Sequence, residues 1–325
     1  MDIDILQVQN LTVSYKVGDL TVKGINNVSL NIRKGSITAL IGESGSGKTT
    51  LLSAILGFLP KNAKVNGKVV LNGEKIMENG KFTRKFRLNR WRLISYIPQN
   101  AMSVLAPTRK IKAHFIDTAE AYNIPKDRAL KEASNILNQV GLNERVLNLY
   151  PFELSGGMKQ RVIIALAVFL KPLVTIADEP TSAVDMLTQK KILDLIKDIN
   201  QKFGITFLIS THDVSVASYI SDQIYVIYNG FIVEHGSKKD IISHPLHPYT
   251  IYLLSNVISL SDRNKLSKFK TYFKPKEVSS NGCPFAVKCP FVTHDCFTSL
   301  PNQIKVDDRE VMCNRYLEVE KIVYS

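Results

Sequence analysis

The stretch GESGSGKTTLLSAIL, residues 42–56, constrains the fold of this chain more than any other. Its first eight residues, Gly42-Glu43-Ser44-Gly45-Ser46-Gly47-Lys48-Thr49, fit G-x-x-x-x-G-K-[ST]. The apolar run Ile37–Ile41 precedes it, bounded by Gly35 and Gly42, and reads as a buried central strand. A helical pattern follows. A glycine-rich turn between strand and helix cradles phosphate, because its backbone N–H groups form an anion nest. The helix adds its positive N-terminal end. In this reading Gly42, Ser44, Gly45, Ser46 and Gly47 shape the loop. Lys48 reaches the β- and γ-phosphates, Thr49 ligates Mg²⁺, and Thr50 lines the same nucleotide site. Kinases, GTPases, helicases and transport ATPases all use such a loop.

The surrounding pattern is α/β. Short β-rich runs cover Ile3–Val8 and Asn27–Ile32, with further strands expected at Gly67–Leu71 and Ser95–Ile97. Residues 108–150 change to helical spacing, as in Ile111, Phe115, Ala119 and Tyr122. This reads as a helical insertion. From Leu154 the expected order is helix (159–170), strand (173–177), helix (187–202), strand (205–210), helix (213–220) and strand (223–228). Such alternation implies a parallel sheet covered by helices. The strand in LVTIADE, residues 173–179, delivers Asp178 to the sheet's carboxyl edge, where it can hold Mg²⁺. The adjacent Glu179 is placed to polarise an attacking water.

Residues 154–161 read LSGGMKQR. Ser155, Gly156 and Gly157 open a helix and make a second anion-binding N-terminus. Here the sequence resembles the ATP-binding cassette (ABC) ATPases, over residues 3 to about 250. The resemblance implies a RecA-like core, an antiparallel β subdomain and a helical subdomain at about 100–170. It also implies a head-to-tail dimer, in which Ser155 and Gly157 touch ATP held by the partner's phosphate loop. Tyr15 matches the aromatic that stacks on adenine. Gln99, in SYIPQNAM, matches the glutamine contacting Mg²⁺ and the attacking water. Asp185, ending SAVD, matches the loop that crosses the dimer interface. His212, in ISTHD, matches the switch histidine at the γ-phosphate. Lys48, Gln99, Glu179 and His212 are all present, so a hydrolysis-competent site is expected.

The C-terminal quarter narrows the resemblance. SHPLHPYT (243–250) and the cysteine region resemble the oligopeptide/dipeptide import ATPases. All four cysteines, Cys283, Cys289, Cys296 and Cys313, lie after residue 282. Clustered in a reducing compartment, they read first as a metal site. By geometry four thiolates suit zinc or a 4Fe-4S cluster. The short C-x2-C spacing usual for structural zinc is absent. Disulfides and free thiols are further alternatives. The pattern of that importer branch around a 4Fe-4S cluster matches residues 282–313, so the resemblance implies these four as cluster ligands. Val287-Lys288 stands where Pro-Arg is common, which leaves the ligands intact. The expected division is a nucleotide-binding domain, 1–255, and a small cysteine-containing domain, 256–325.

Lys and Arg total 42 against 29 Asp and Glu, a formal charge of +13. Two basic stretches contribute, residues 81–92 and 263–276. They suit anionic lipid headgroups beside a membrane partner, or simply a solvated face. RNA binding lacks a recognised module with aromatic stacking platforms. The longest apolar run, Val162–Leu170, is too short to span a bilayer. MDIDILQVQN carries two Asp and no basic region, so no signal peptide is expected there. The resemblance therefore implies a peripheral subunit at the cytoplasmic membrane face. Its expected partners are a second, different cassette, two membrane permease subunits and an extracytoplasmic substrate-binding protein. The expected cargo is peptide, or alternatively oligosaccharide or nickel. A soluble ABC ATPase acting on ribosomes or nucleic acid is the second reading. An ATP-binding scaffold without turnover is the third.

Overall fold

The structure, a computed structural model, describes residues 3–99, 103–182, 184–255 and 282–324. The chain starts with a long ribbon, β1 (Asp4–Val17) and β2 (Leu20–Arg33), paired antiparallel from Asp4↔Arg33 to Val17↔Leu20. Leu6, Val8, Leu11 and Val13 of β1 are fully buried, while polar residues between them reach solvent. Next come β3 (Ile37–Ile41) and α1 (Lys48–Leu56). β4 (Ala63–Leu71), β5 (Glu74–Glu78) and β6 (Lys81–Phe82) extend the ribbon into an antiparallel sheet ordered β2-β1-β4-β5-β6. This is the expected β subdomain.

The basic stretch 81–92 forms mostly α2 (Arg84–Leu93), capped by Thr83. Phe86 is its buried anchor, and the Arg90 guanidinium sits over the Phe58 and Phe86 rings at 5.3 and 5.6 Å. After β7 (Ile94–Ile97) the helical insertion appears as α3 (Ile111–Glu120) and α4 (Lys126–Gln139). α5 (Gly156–Val168), β8 (Val174–Asp178), α6 (Met186–Phe203), β9 (Thr206–Thr211), α7 (Val214–Ile220) and β10 (Gln223–Tyr228) then alternate as expected. Strands β10, β3, β9, β8 and β7 lie side by side, each adjacent pair parallel. β3, β8 and β9 are buried along their whole length. Apolar runs of this kind fit strands covered on both faces.

The chain closes with β11 (Phe231–Ser237), α8 (Lys238–Ser243), α9 (Pro248–Ser255), α10 (His294–Thr298), β12 (Ile304–Val306), β13 (Arg309–Val311) and α11 (Tyr316–Tyr324). β11 adds antiparallel to β10, and β13 and β12 continue from it. The large sheet is ordered β12-β13-β11-β10-β3-β9-β8-β7. The expected small C-terminal domain is not set apart from the cassette among the described residues. Residues 304–311 complete the main sheet, and Cys283, Phe285 and Ala286 share one core cluster with Ile41, Val226 and Tyr249. Too short to build a core of its own, the segment buries its apolar side chains in the cassette. Phe285 is 2% exposed, which is worth about 1.5–3 kcal/mol of apolar burial. The basic stretch 263–276 and the proposed boundary at 255/256 touch residues 256–281, outside the described ones.

Candidate active site

β3 delivers the phosphate loop. Gly42 has no room for a side chain, since a Cβ would lie 2.3 Å from the Ile227 carbonyl oxygen and 2.7 Å from Ser46 Oγ. Gly45 and Gly47 have φ of 79° and 109°, the left-handed region that glycine enters without strain. Gly47 caps α1. Ser46 Oγ is buried and meets no hydrogen-bond partner. Ser44 and Thr49 face solvent at the loop's open side. Lys48 is only 5% exposed and folds back on its own loop. Its Nζ donates to the Gly42 carbonyl at 2.7 Å and the Glu43 carbonyl at 3.0 Å. Burial lowers its pKa, opposed first by the charge of Glu179 and then by Asp178.

Glu179 is the hub of the site. β8 ends at Asp178, and Glu179 turns out of the strand with φ of 47°. That conformation is costly for a side-chain-bearing residue and clusters at functional sites. Its Oε1 stands 3.9 Å from Lys48 Nζ and 3.1 Å from His212 Nδ1. Its Oε2 accepts from Gln99 Nε2 at 3.0 Å. Lys48, Gln99 and His212 thus meet on the carboxylate of Glu179, Gln99 and His212 arriving from β7 and β9, which flank β8.

Asp178 is 1% exposed. Its Oδ1 accepts from Ser210 Oγ, whereas Oδ2 has no hydrogen-bond partner. Ser210 Oγ also accepts from the Glu179 N–H at 3.2 Å, so one hydroxyl sets both acidic residues. Tyr96 lies alongside, its phenol pushed up to about 12 by burial and the Asp178 charge. An enclosed carboxylate oxygen without a donor suits a cation. Asp178, Thr49 and Gln99 therefore fit Mg²⁺ as a donor set of oxygens. Sequence reasoning missed Ser210, Tyr96 and Ser182, whose hydroxyl donates to the Gln99 carbonyl at 3.1 Å. Ser210 on β9 and Tyr96 on β7 sit on the strands that flank β8, which delivers the acidic pair.

The remaining predicted residues lie around this centre. Tyr15 donates from its hydroxyl to Thr50 Oγ1 at 3.3 Å, placing its half-buried ring beside the start of α1. Exposed Ser155 caps α5, its Oγ accepting from the Met158 N–H at 3.3 Å, with Gly156 and Gly157 forming the half-buried first turn. A Cβ on Gly157 would meet Thr188. Asp185 caps α6, accepting from the Thr188 N–H at 3.0 Å and its hydroxyl at 2.6 Å. Those bonds, with the Thr188 hydroxyl foremost, lower its pKa. None of the described hydrogen bonds around Glu179 involves Ser155, Gly156, Gly157 or Asp185.

The four cysteines carry free thiols and line one cavity of about 380 Å³ together with Phe285, Phe291 and Arg315. The Cys283 N–H donates to the Cys296 carbonyl at 2.8 Å, closing the loop between them. Burial pushes the Cys283 and Cys313 thiols up to about 11 and raises Cys289 further. Among the described residues no three His, Cys, Asp or Glu side chains are arranged to hold a metal ion. A preformed site for a single metal ion is therefore not found among the described residues. The thiols line a shared space, and burial favours the protonated form at Cys283, Cys289 and Cys313.

A sheet-borne phosphate loop after β3, an acidic pair at the end of β8 two strands away and a capped LSGG helix define an ABC ATPase. Residues 25–182 match the ABC transporter family model. Residues 233–296 match the model of the oligopeptide/dipeptide transporter C-terminal region. The chain is 38% identical to a dipeptide transport ATP-binding protein, DppD, of Caldanaerobacter subterraneus, over 97% of this chain and 98% of that one. It is 32% identical to the oligopeptide transport ATP-binding protein OppD of Escherichia coli, over 91% and 89%. A dimeric post-hydrolysis structure of the ATP-binding cassette MJ0796 with ADP and phosphate matches with TM-score 0.62 and 30% identity, over 72% of this chain and 98% of that one. The chain belongs to the family of dipeptide and oligopeptide transport ATP-binding proteins.

Proposed function

We propose that this chain is the ATP-hydrolysing subunit of a peptide importer. It sits peripherally at the cytoplasmic membrane face and works on two permease subunits fed by an extracytoplasmic substrate-binding protein. Among the described residues no helix is long and apolar enough to cross a membrane, so the pathway for cargo belongs to those partners. The relatives named above are dipeptide and oligopeptide transport proteins, which supports peptide over oligosaccharide or nickel. No observation favours the ribosome- or nucleic-acid-directed reading.

One observation carries the enzymology: Lys48, Gln99 and His212 all converge on the Glu179 carboxylate. In use, Lys48 leaves the Gly42 and Glu43 carbonyls for the phosphates. Glu179 polarises the attacking water, His212 and Gln99 orient it, and the Asp178 side supplies the oxygens for Mg²⁺. Bound Mg²⁺ neutralises charge on the phosphate oxygens. The N-terminus of α5 at Ser155–Gly157 is suited to the γ-phosphate of ATP held by a second, different cassette. Asp185 holds the neighbouring helix start in shape for that interface.

The cysteines fit a 4Fe-4S cluster by donor chemistry, since four thiols share one cavity. Burial disfavours bare thiolates at Cys283, Cys289 and Cys313, and iron would supply the compensating charge. Such a cluster would staple residues 283–313 together. Iron and acid-labile sulfide analysis of anaerobically purified chain tests it: about four of each per chain is expected, and a zinc-loaded or metal-free chain contradicts it. The function itself is tested by affinity capture of the chain from membranes. Two integral membrane subunits and a second cassette are expected. Capture of ribosomal subunits without membrane proteins contradicts the assignment.

A further inference from the structure

The peptide unit joining Gly42 to Glu43 is held from two sides. Its carbonyl accepts from Lys48 Nζ at 2.7 Å, and its N–H donates to the Tyr249 hydroxyl at 2.9 Å. Tyr249 lies 206 residues away in sequence, on α9, and is fully buried. We propose that Tyr249 is a positioning residue for the phosphate loop and that it couples the cysteine-lined lobe to nucleotide binding. The inference rests on the reading that residues 42–49 hold the phosphates of ATP.

Three contacts fix the tyrosine. Its own N–H donates to His247 Nδ1 at 3.0 Å. The Leu246 and His247 N–H groups donate to the two oxygens of buried Glu234 at 2.8 and 3.0 Å. On the other side its ring packs against Phe285, with centroids 5.5 Å apart, and against Tyr228 at 4.5 Å. Phe285 is two residues beyond Cys283 and lines the cavity of the four thiols. A displaced cysteine loop therefore withdraws the ring that backs Tyr249.

The consequence for ATP is mechanical. Lys48 rests on the Gly42 carbonyl in this structure and must leave it to meet phosphate. The Tyr249 hydroxyl then remains to keep the Gly42–Glu43 peptide from turning, while the Ile227 carbonyl blocks sideways movement at Gly42. A loop held in shape before its ligand arrives binds more tightly than one ordered on binding.

The test is equilibrium binding of Mg²⁺–ATP to the purified full-length chain, well below its unfolding temperature. Y249F removes only the hydroxyl and is expected to weaken binding about five- to tenfold, the worth of one hydrogen bond to an enclosed amide. F285L is expected to weaken binding to a smaller extent. Y228F keeps the Glu43 bond and is expected to bind normally. K48A reports on the underlying site: if it binds ATP normally, residues 42–49 are not the phosphate site. If K48A fails to bind while Y249F binds as the parental chain does, the proposal for Tyr249 is overturned. A lowered unfolding temperature in Y249F with unchanged ATP affinity also overturns it, because that result is purely structural. Equal weakening by Y228F, which keeps both the Tyr228 ring and the Glu43 bond, overturns it because the effect is then not specific to the Tyr249 hydroxyl. Should Y249F not fold, normal ATP binding by F285L overturns the coupling.

Discussion

Glu179→Gln separates the chemistry of the site from its architecture. The amide keeps the volume of the carboxylate, so the β8 end and its φ of 47° are retained. What disappears is a negative charge 3.9 Å from Lys48 Nζ. At the effective dielectric of protein sites, two unit charges at that distance interact by about 4 kcal/mol. Lys48 is 5% and Glu179 13% exposed, so little of this is screened by water. The loss has two effects of opposite sign. Catalysis loses its base, which costs about 10²–10⁴-fold in kcat, or about 3–5 kcal/mol of barrier. Binding does not suffer in the same way, because a negative group facing the γ-phosphate has been removed. The Lys48 pKa falls further, since Glu179 is the largest influence raising it. The assay is phosphate release at saturating Mg²⁺–ATP, with the ATP-bound assembly followed by size exclusion. The variant is expected to accumulate an ATP-bound dimer and turn over at or below about one hundredth of the parental rate. Hydrolysis at the parental rate refutes Glu179 as the base.

Ser155→Ala removes the cap of α5 at Met158. A loss of about 1 kcal/mol in unfolding free energy is expected, together with loss of ATP-driven dimerisation; a stability loss alone reduces Ser155 to a cap. His247 predicts a pH dependence. It is buried and neutral, with Nδ1 accepting from Tyr249, and burial pushes its pKa from 6.5 down to about 3. The unfolded chain thus takes up a proton that the native chain refuses. Stability from this group is complete above about pH 6.5 and falls as pH drops towards about 3. Thermal unfolding across that window is expected to show the slope, and H247Q to flatten it; an unchanged slope contradicts a neutral His247.

Much of the core was legible because burial leaves a pattern. Ile37–Ile41 is an apolar run between glycines, and β3 occupies those residues with every side chain buried. β8, β9 and β10 followed for the same reason. β1 runs on to Val17, past the expected end at Val8, because its second half alternates polar residues and passes an irregularity between Val8 and Leu11. α2 was hidden by charge: five basic residues surround one buried anchor, Phe86. β5, β6, β12 and β13 are two to five residues long, too short for a period to register. In the site, the residues gathered on Glu179 were each marked by a motif. Ser210 was not, and Tyr249 stood in SHPLHPYT without a role, because each acts through one hydroxyl whose partner is remote in sequence. At the C-terminus the four cysteines are the conspicuous feature, while β13 pairs with β11 through ordinary backbone bonds that carry no sequence signature.

The central claim is that ATP turnover at Lys48, Gln99, Glu179 and His212 drives peptide import. Its most direct measurement is ATP hydrolysis by the assembled membrane complex in vesicles, with peptide-loaded and with empty binding protein. The account predicts faster phosphate release with peptide, peptide accumulating in step with it, and both lost together in the Glu179→Gln complex. Hydrolysis indifferent to peptide, with no accumulation, would contradict it.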